Sequence, residues 1–207
     1  MGVGMRALLL SAVALVVIGI GGCSAVNEST FGETEDVSPQ RLTELNDELR
    51  GLPTLEVTLE DYRRLRERLT LRIREVAPET YWRSSAIEGD RYPDHRQSCS
   101  GEWADTDGRQ VQLDRRVSAV PIGEAHWSEA LAVVRETVAE YGLKQIGAYR
   151  DLPDDRDIRF SGPGGSALMF GTFKAAVLSI QTPCRLPAGP PAPISPPNPV
   201  TSQARGN

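Results

Sequence analysis

The stretch IRFSGPGGSALMFGTFKAAVLSIQT, residues 158–182, decides the fold class. It contains three short runs of strand-forming residues, separated by turn-forming residues, at 158–161, 167–170 and 175–182. This pattern predicts successive strands. In the last run Ala176, Leu178 and Ile180 alternate with other residues and therefore share one face, as in a strand with one buried side. Strands joined by such short connections pair antiparallel.

Further strands are predicted on the N-terminal side of this stretch. Residues 144–150 read as another short strand, and residues 109–120 alternate cleanly, with apolar side chains at Val111, Leu113, Val117 and Ala119. Residues 98–103 are interpreted as a strand that places Cys99 and Trp103 on the same side. The sheet is thus expected to be mostly antiparallel.

Three amphipathic helices are predicted from apolar residues spaced three and four apart. The first spans 39–50, with Ser38 as cap and Gly51 as stop; the second begins at a capping box, 58–61, and ends before Pro78; the third is ended by Gly142. Their apolar stripes are Leu42, Leu45 and Leu49; Tyr62, Leu65, Leu69, Ile73 and Val76; and Trp127, Leu131, Val134, Val138 and Tyr141. The Arg/Glu-rich residues 63–68 of the second helix are expected to be solvated. The order of elements predicts an α+β fold, with helices packed on one face of the sheet.

The N-terminus resembles a lipoprotein signal. Arg6 precedes the apolar segment 7–20, which is too short to span a membrane, and the segment ends in Ile20-Gly21-Gly22-Cys23. In proteins with such a lipobox the cysteine thiol carries a diacylglyceryl group and becomes the first residue after cleavage. We therefore predict lipidation at Cys23, with a short membrane helix or an ordinary cleaved signal as alternatives.

The two remaining cysteines, Cys99 and Cys184, are expected to form a disulfide in an extracytoplasmic compartment, the alternative being two free buried thiols. The chain is accordingly divided into a signal peptide (1–22), an acylated cysteine and polar spacer (23–38), an α+β domain (39–186) and a disordered proline-rich tail (187–207). With 28 acidic and 23 basic residues, the chain has no basic footprint for nucleic acid.

Five groups of residues are candidate sites, and each favours a structural role. The glycine-rich turn 161–166 lacks the lysine and helix of a phosphate loop. The acidic stretch 150–157 lacks calcium-loop spacing, holds neutralising arginines and is expected to be a solvated loop between strands. His126, expected in the first turn of a helix, has no metal-ligand partner, and the aromatic residues Tyr81, Trp82, Tyr92 and Trp103 favour core or pocket lining over recognition. His95, placed in a loop beside Asp94, suggests a Ser–His–Asp site with one of the serines, but the sequence lacks a nucleophile motif. No catalytic residue, cofactor or metal site is therefore predicted.

Several of these features together resemble the LppA-type lipoproteins of mycobacteria. They are the lipobox, an arginine-rich chain with lysine only at 144 and 174, CSGEW at 99–103, and SGPGGSALMFGTFKAAVLSIQTPCR at 161–185. The similarity covers roughly residues 30–186. It implies a cell-envelope lipoprotein with no catalytic motif to transfer, and only Cys23 is carried over as a functional position.

From these observations we expect a lipid-anchored protein on the extracytoplasmic face of the cell membrane. Its predicted role is that of a non-enzymatic binding or interaction module for an envelope lipid, glycan or protein. Two alternatives stay open: an envelope hydrolase using His95 and nearby carboxylates, and a structural cell-wall spacer whose tail reaches outward.

Overall fold

The computed structural model describes residues 37–85 and 94–189. Within them, three helices accompany one mostly antiparallel sheet, which confirms the predicted α+β class. Cys23 and Tyr92 lie outside the described residues, and so do the lipobox and most of the proline-rich tail.

The helices form where the apolar spacing predicts them. Helix α1 spans Pro39–Arg50, α2 spans Leu55–Val76 and α3 spans Glu124–Ala139. The Ser38 hydroxyl accepts a hydrogen bond from the backbone N–H of Arg41, so the predicted cap of α1 is confirmed. The predicted start of α2 is one turn late, because Thr58 is buried inside the helix and Thr54 occupies the cap position.

Eight strands form the sheet. They are β1 (Trp82–Ser84), β2 (His95–Ser98), β3 (Arg109–Gln112), β4 (Arg116–Ser118), β5 (Lys144–Leu152), β6 (Asp155–Ser161), β7 (Ala167–Thr172) and β8 (Ala176–Gln181). Their order is β1-β4-β8-β7-β6-β5, and β3 pairs with both β2 and β8. Strand β8 is therefore the centre of the sheet, with β7 on one side and with β4 and β3 in succession on the other.

The core lies between the sheet and helices α2 and α3. Trp127 of α3 stacks on Phe170 of β7 with ring centroids 5.0 Å apart. The buried strand residues are the alternate ones, including Ile158, Phe160, Leu168, Phe170, Ala176, Leu178 and Ile180, packed against Leu65, Leu69, Val134 and Val138. The opposite face of the sheet is left without a helix from the described residues.

The predicted single strand over 109–120 is wrong in one respect: it is broken at 113–115 into β3 and β4. Val111 and Leu113 are buried as predicted, but beyond the break Ser118 is buried while Ala119 is exposed. A break that shifts the alternation by one residue moves every following side chain to the other face.

Two other segments also differ from the prediction. Residues 98–103 do not form a strand, since β2 ends at Ser98 and a 3-10 turn follows at Gly101–Trp103, where Gly101 has a φ of 62°. The acidic stretch is not a loop, because β5 and β6 run through it as a hairpin whose turn is only Pro153 and Asp154. The backbone hydrogen bonds between β5 and β6 continue along the chain beyond the residues whose apolar pattern predicts a strand.

The predicted disulfide is present. Cys99 and Cys184 are bonded with a Cα–Cα distance of 5.5 Å, and they pack with Leu49 of α1 and with Trp103. Gly108 lies against this bond, where a Cβ atom would come within 2.3 Å of the Cys184 sulfur. No helix in the described part of the chain is long and apolar enough to cross a membrane.

Candidate functional site

The candidate site is the face of the sheet opposite α2 and α3, called the outer face below. The register of the strands shows which residues lie on the outer face, because directly paired residues of neighbouring strands point to the same side of the sheet. Rows across the strands are Arg150, Asp157, Gly171, Val177 and Val117; Gly147, Arg159, Met169 and Ser179; and Lys144, Ser161, Ala167, Gln181, Gln112 and His95. The face thus combines small, apolar and hydrogen-bonding side chains.

Two grooves of about 330 Å³ each lie on this face, one on either side of Met169. One groove is walled by Tyr149 and Phe173, and its floor includes Val177. The other runs between Ile146 and the polar residues of β8. Both grooves have Met169 in their lining and therefore adjoin each other on the outer face.

Strand β5 borders both grooves and is exposed along its whole length. Ile146 is 70% exposed, Tyr149 is 75% exposed and Leu152 is 61% exposed, although all three are large apolar or aromatic residues. The register of β5 against β6 shifts twice, between Gln145 and Gly147 and again between Ala148 and Arg150. Such bulges bend an edge strand and redirect its side chains, and here Ile146 and Tyr149 line the grooves.

Paired charges surround the Tyr149 groove. Arg156, whose strand partner Thr172 is buried, points toward α3, where it donates to both oxygens of Glu124, at 2.9 and 2.7 Å; it also donates to Asp151 at 3.0 Å. The backbone N–H of Asp154 also donates to Glu124, and these contacts together hold the pKa of Glu124 below its ordinary value. Arg150 pairs with Asp155 at 2.9 Å, and Arg159 pairs with Asp157 at 2.8 Å. The expected neutralisation of the acidic stretch by arginines is therefore confirmed, and the rim has little free charge.

Side-chain amides and a hydroxyl line the other end of the outer face. The Gln112 amide donates to Ser179 Oγ at 3.1 Å and to the Ile180 carbonyl at 2.9 Å. The Gln97 amide donates to Gln181 Oε1 at 3.0 Å. These bonds fix the side chains across three strands, so this end of the surface is preorganised.

The structure separates His95 from the carboxylate beside it. His95 is in β2 rather than in a loop, and it lies on the outer face opposite Gln112. The Asp94 carboxylate is held by Arg63 of α2, at 2.7 and 2.9 Å, and accepts the backbone N–H of Asp114 at 2.9 Å. The triad considered from the sequence, His95 with Asp94 and a serine, is not assembled by these contacts.

Asp94 belongs instead to a cluster that stabilises the break between β3 and β4. Arg66 of α2 is buried rather than solvated, which corrects the expectation for residues 63–68. Its guanidinium donates to the Asp114 carbonyl at 3.1 Å and lies 3.6 Å from Asp94. Both backbone groups of Asp114, which leave the ladder at the break, are thereby satisfied.

The remaining predicted candidates have structural partners. His126 is in the first turn of α3, as predicted, and its Nδ1 lies 2.9 Å from Glu79. Trp82 packs against the core and Trp103 against the disulfide, whereas Tyr81 is exposed beneath Arg74 of α2. The glycine-rich segment 161–166 is a turn joining β6 and β7, as predicted. Among the described residues, no group of three or more metal-ligating side chains comes together.

Sequence reasoning missed the residues that distinguish the outer face. Ile146 and Tyr149 fall inside the predicted strand 144–150, but their three-residue spacing does not match the alternation of a half-buried strand. That mismatch is the available signal for bulges that expose apolar side chains. Met169 and Phe173 carry no local signal, because their exposure depends on which face of the sheet the helices cover.

Comparisons with known proteins identify a matching family and a solved structure of similar fold. The model of the LppA family, described as a lipoprotein confined to pathogenic Mycobacterium, matches residues 31–188. The crystal structure of LppA from Mycobacterium tuberculosis is similar at a TM-score of 0.58 and 20% identity, covering 74% of this chain and 94% of that one. A DUF4853 family protein from Actinomyces odontolyticus aligns at a TM-score of 0.37 and 19% identity, over 67% of this chain and 75% of its own. No curated protein matches the chain.

Proposed function

Because the chain belongs to the LppA family of lipoproteins, we propose that it is a non-enzymatic binding module anchored to the extracytoplasmic face of the cell membrane. The anchor is a diacylglyceryl group on Cys23. The outer face of the sheet, presented beyond the spacer 23–38, binds a protein of the cell envelope.

The observation that carries this proposal is the groove pair beside the exposed strand β5. Soluble monomeric proteins rarely expose large contiguous apolar patches without a functional reason. Ile146, Tyr149 and Phe173 are each more than half exposed, and each lines one of the two grooves. A strand at the edge of a sheet also offers unpaired N–H and C=O groups, with which an extended partner segment can pair.

The chemistry of the face favours a protein partner over an anionic lipid. Tyrosine, phenylalanine, methionine and arginine are the residue types enriched in protein interfaces. Arg150 and Arg159 on this face already pair with carboxylates, and Arg156 points toward α3, where it pairs with Glu124. They therefore present little net positive charge to a phospholipid surface.

The placement of His95 supports the non-enzymatic part of the proposal. A general base needs an orienting partner within hydrogen-bond reach. Asp94 is committed to Arg63 and to the backbone of Asp114, and the His95 imidazole forms no hydrogen bond among the described residues. The nearby carboxylate thus has a structural role.

Binding is tested with two exposed tyrosines on different sides of the molecule. Tyr149 on the outer face is 75% exposed, and Tyr81 near α2 is 71% exposed. Tyr149→Asp and Tyr81→Asp variants of the full chain are expressed in the native host, cross-linked and purified from the envelope. We expect a protein that is recovered with the wild type and the Tyr81→Asp variant but is lost with the Tyr149→Asp variant. Equal recovery with both variants would refute the proposed surface.

The anchor is tested separately by replacing Cys23 with alanine and comparing it with Ser24→Ala. The wild-type chain and the Ser24→Ala variant should fractionate with membranes and carry the mass of an acylated N-terminus. The Cys23→Ala variant should lose both properties, because two acyl chains are needed for stable anchoring. An unmodified wild-type chain that retains residues 1–22 would contradict the lipoprotein anchor.

A further inference from the structure

Two arginines face each other at the end of the sheet near the disulfide. Arg109 at the start of β3 and Arg185 beyond β8 exchange backbone hydrogen bonds of 2.8 and 3.0 Å. Directly opposed residues of an antiparallel pair have their Cβ atoms about 4.5–5.5 Å apart, and like charges in these positions repel each other. This pair therefore brings two positive charges together.

Neither arginine has an acidic partner among the described residues, in contrast to the paired arginines of the outer face. Arg109 donates to the carbonyl of Gly108 at 2.6 Å, and Arg185 donates to the carbonyl of Cys184 at 2.7 Å. Both Nε atoms are buried without a hydrogen-bond partner. Each guanidinium has five N–H donors, so most of the N–H groups of Arg109 and Arg185 have no acceptor among the described residues.

A cavity of about 200 Å³ lies beside Arg185. Its walls are the rings of Tyr62, Tyr141, Pro53, Pro163 and Pro183. Tyr62 and Tyr141 are fixed edge to face, with ring centroids 5.4 Å apart. The cavity is thus a shaped, largely apolar pocket with a cation in its wall.

The glycine-rich turn closes one side of this cavity. A Cβ atom on Gly164 would lie 3.3 Å from the Arg185 guanidinium, so the turn passes directly over it. The following Ser166 is fully buried, and its hydroxyl lies beside the Tyr62 phenol. Burial raises the pKa of the Tyr62 phenol, an effect that nearby Ser166 and Arg185 partly offset. At neutral pH the phenol is therefore a further donor.

One carboxylate, that of Asp61, also lines the cavity. Asp61 belongs to α2, and it pairs with Arg64 on the exposed side of that helix. Its side chain is 47% exposed, and no ion pair connects it to Arg185. The unpaired positive charge at Arg185 and Arg109 is therefore not cancelled by it.

We propose that this cavity binds a phosphate group, held by the Arg185 guanidinium and the Tyr62 hydroxyl, both of which line it, while the charge of the opposed Arg109 adds to the attraction. A tetrahedral oxyanion matches the fork of guanidinium donors and would relieve the repulsion between the two cations. The phosphate belongs either to a phospholipid headgroup or to a free phosphate. This site is distinct from the outer face and does not depend on the proposed function.

The test uses the full chain in a neutral detergent and isothermal titration calorimetry at constant ionic strength. The titrants are inorganic phosphate, dihexanoyl phosphatidic acid and, as a control without phosphate, dihexanoylglycerol. The variant is Arg185→Gln, and the matched control is Arg115→Gln, which removes an exposed arginine that forms no ion pair among the described residues. Tyr62→Phe, which keeps the ring in the core, serves as a second variant.

We expect phosphate binding that weakens at least about tenfold in Arg185→Gln, severalfold in Tyr62→Phe and not in Arg115→Gln. Tighter binding of phosphatidic acid than of inorganic phosphate identifies a lipid headgroup as the source, and the reverse identifies a free phosphate. Absence of binding by both phosphate compounds overturns the proposal. Equal weakening in Arg185→Gln and Arg115→Gln also overturns it, because the effect would then be one of net charge.

Discussion

Replacing Asp94 with alanine tests whether this carboxylate holds the break between β3 and β4. The side chain is 13% exposed and accepts from Arg63 at 2.7 and 2.9 Å and from the Asp114 backbone at 2.9 Å. Its removal leaves the Arg66 guanidinium, whose side chain is only 10% exposed, with the exposed Glu67, 3.2 Å away, as its remaining acidic neighbour.

The expected loss follows from the burial of these groups. Breaking a buried ion pair by removing one partner costs about 3–5 kcal/mol. Since Arg63 is 43% exposed and its share is screened by solvent, we expect a loss near the low end, about 3 kcal/mol. For a domain of this size each kcal/mol lowers the melting temperature by about 2–4 °C. The Asp94→Ala variant should therefore melt about 6–12 °C below the wild type.

The assay is thermal unfolding followed by circular dichroism, with Glu140→Ala as the control. Glu140 pairs with Arg68 at 2.8 Å, but both side chains are exposed, at 58% and 41%. Such a surface pair contributes at most about 1 kcal/mol. If Asp94→Ala melted within about 2 °C of the wild type, a structural role for the carboxylate would be refuted.

Three further predictions concern other parts of the domain. Replacing Cys99 and Cys184 together by alanine should lower the free energy of unfolding by about 4–5 kcal/mol, because the disulfide closes a loop with a sequence separation of 85. An unchanged midpoint of denaturant unfolding would contradict this stabilisation. Burial raises the pKa of Glu79, but its bond to His126 and backbone contacts outweigh this and hold the pKa below the ordinary 4.5. The charged form of Glu79 therefore stabilises the fold above about pH 4.5, and this contribution is lost on acidification. The Glu79→Gln variant should consequently lose less stability than the wild type between pH 7 and pH 3. An equal loss of stability in the two proteins would argue against the pairing of Glu79 with His126. Finally, Arg109→Gln should raise the melting temperature of the phosphate-free protein, since directly opposed like charges cost roughly 0.2–1 kcal/mol. A lower melting temperature of the variant would show that Arg109 and Arg185 do not repel each other.

The elements of the fold were predictable where local patterns determine them. The apolar stripes of the three helices, the capping serine Ser38 and the strands around the glycine-rich turn follow from spacing and turn chemistry. The disulfide followed from the number of cysteines and the expected compartment. These features depend on residues that are close in sequence, or on a single long-range pair.

The features that escaped prediction depend on tertiary contacts. The alternation of 109–120 continues through the break at 113–115, because the break is imposed by Asp94 and Arg66 from elsewhere in the chain. The burial of Arg66 likewise requires a carbonyl released by that break. The grooves and the Arg109–Arg185 pair arise from strand order and register, which a single sequence does not determine.

The most direct test of the account is site-specific photo-cross-linking in intact cells. A photoreactive amino acid replaces Ile146 on the outer face or Leu71 on α2, two apolar residues that are 70% and 64% exposed. The account predicts a discrete cross-linked protein adduct from position 146 and none from position 71. Adducts from neither position, or the same adduct from both, would contradict the claim that the outer face is the binding surface.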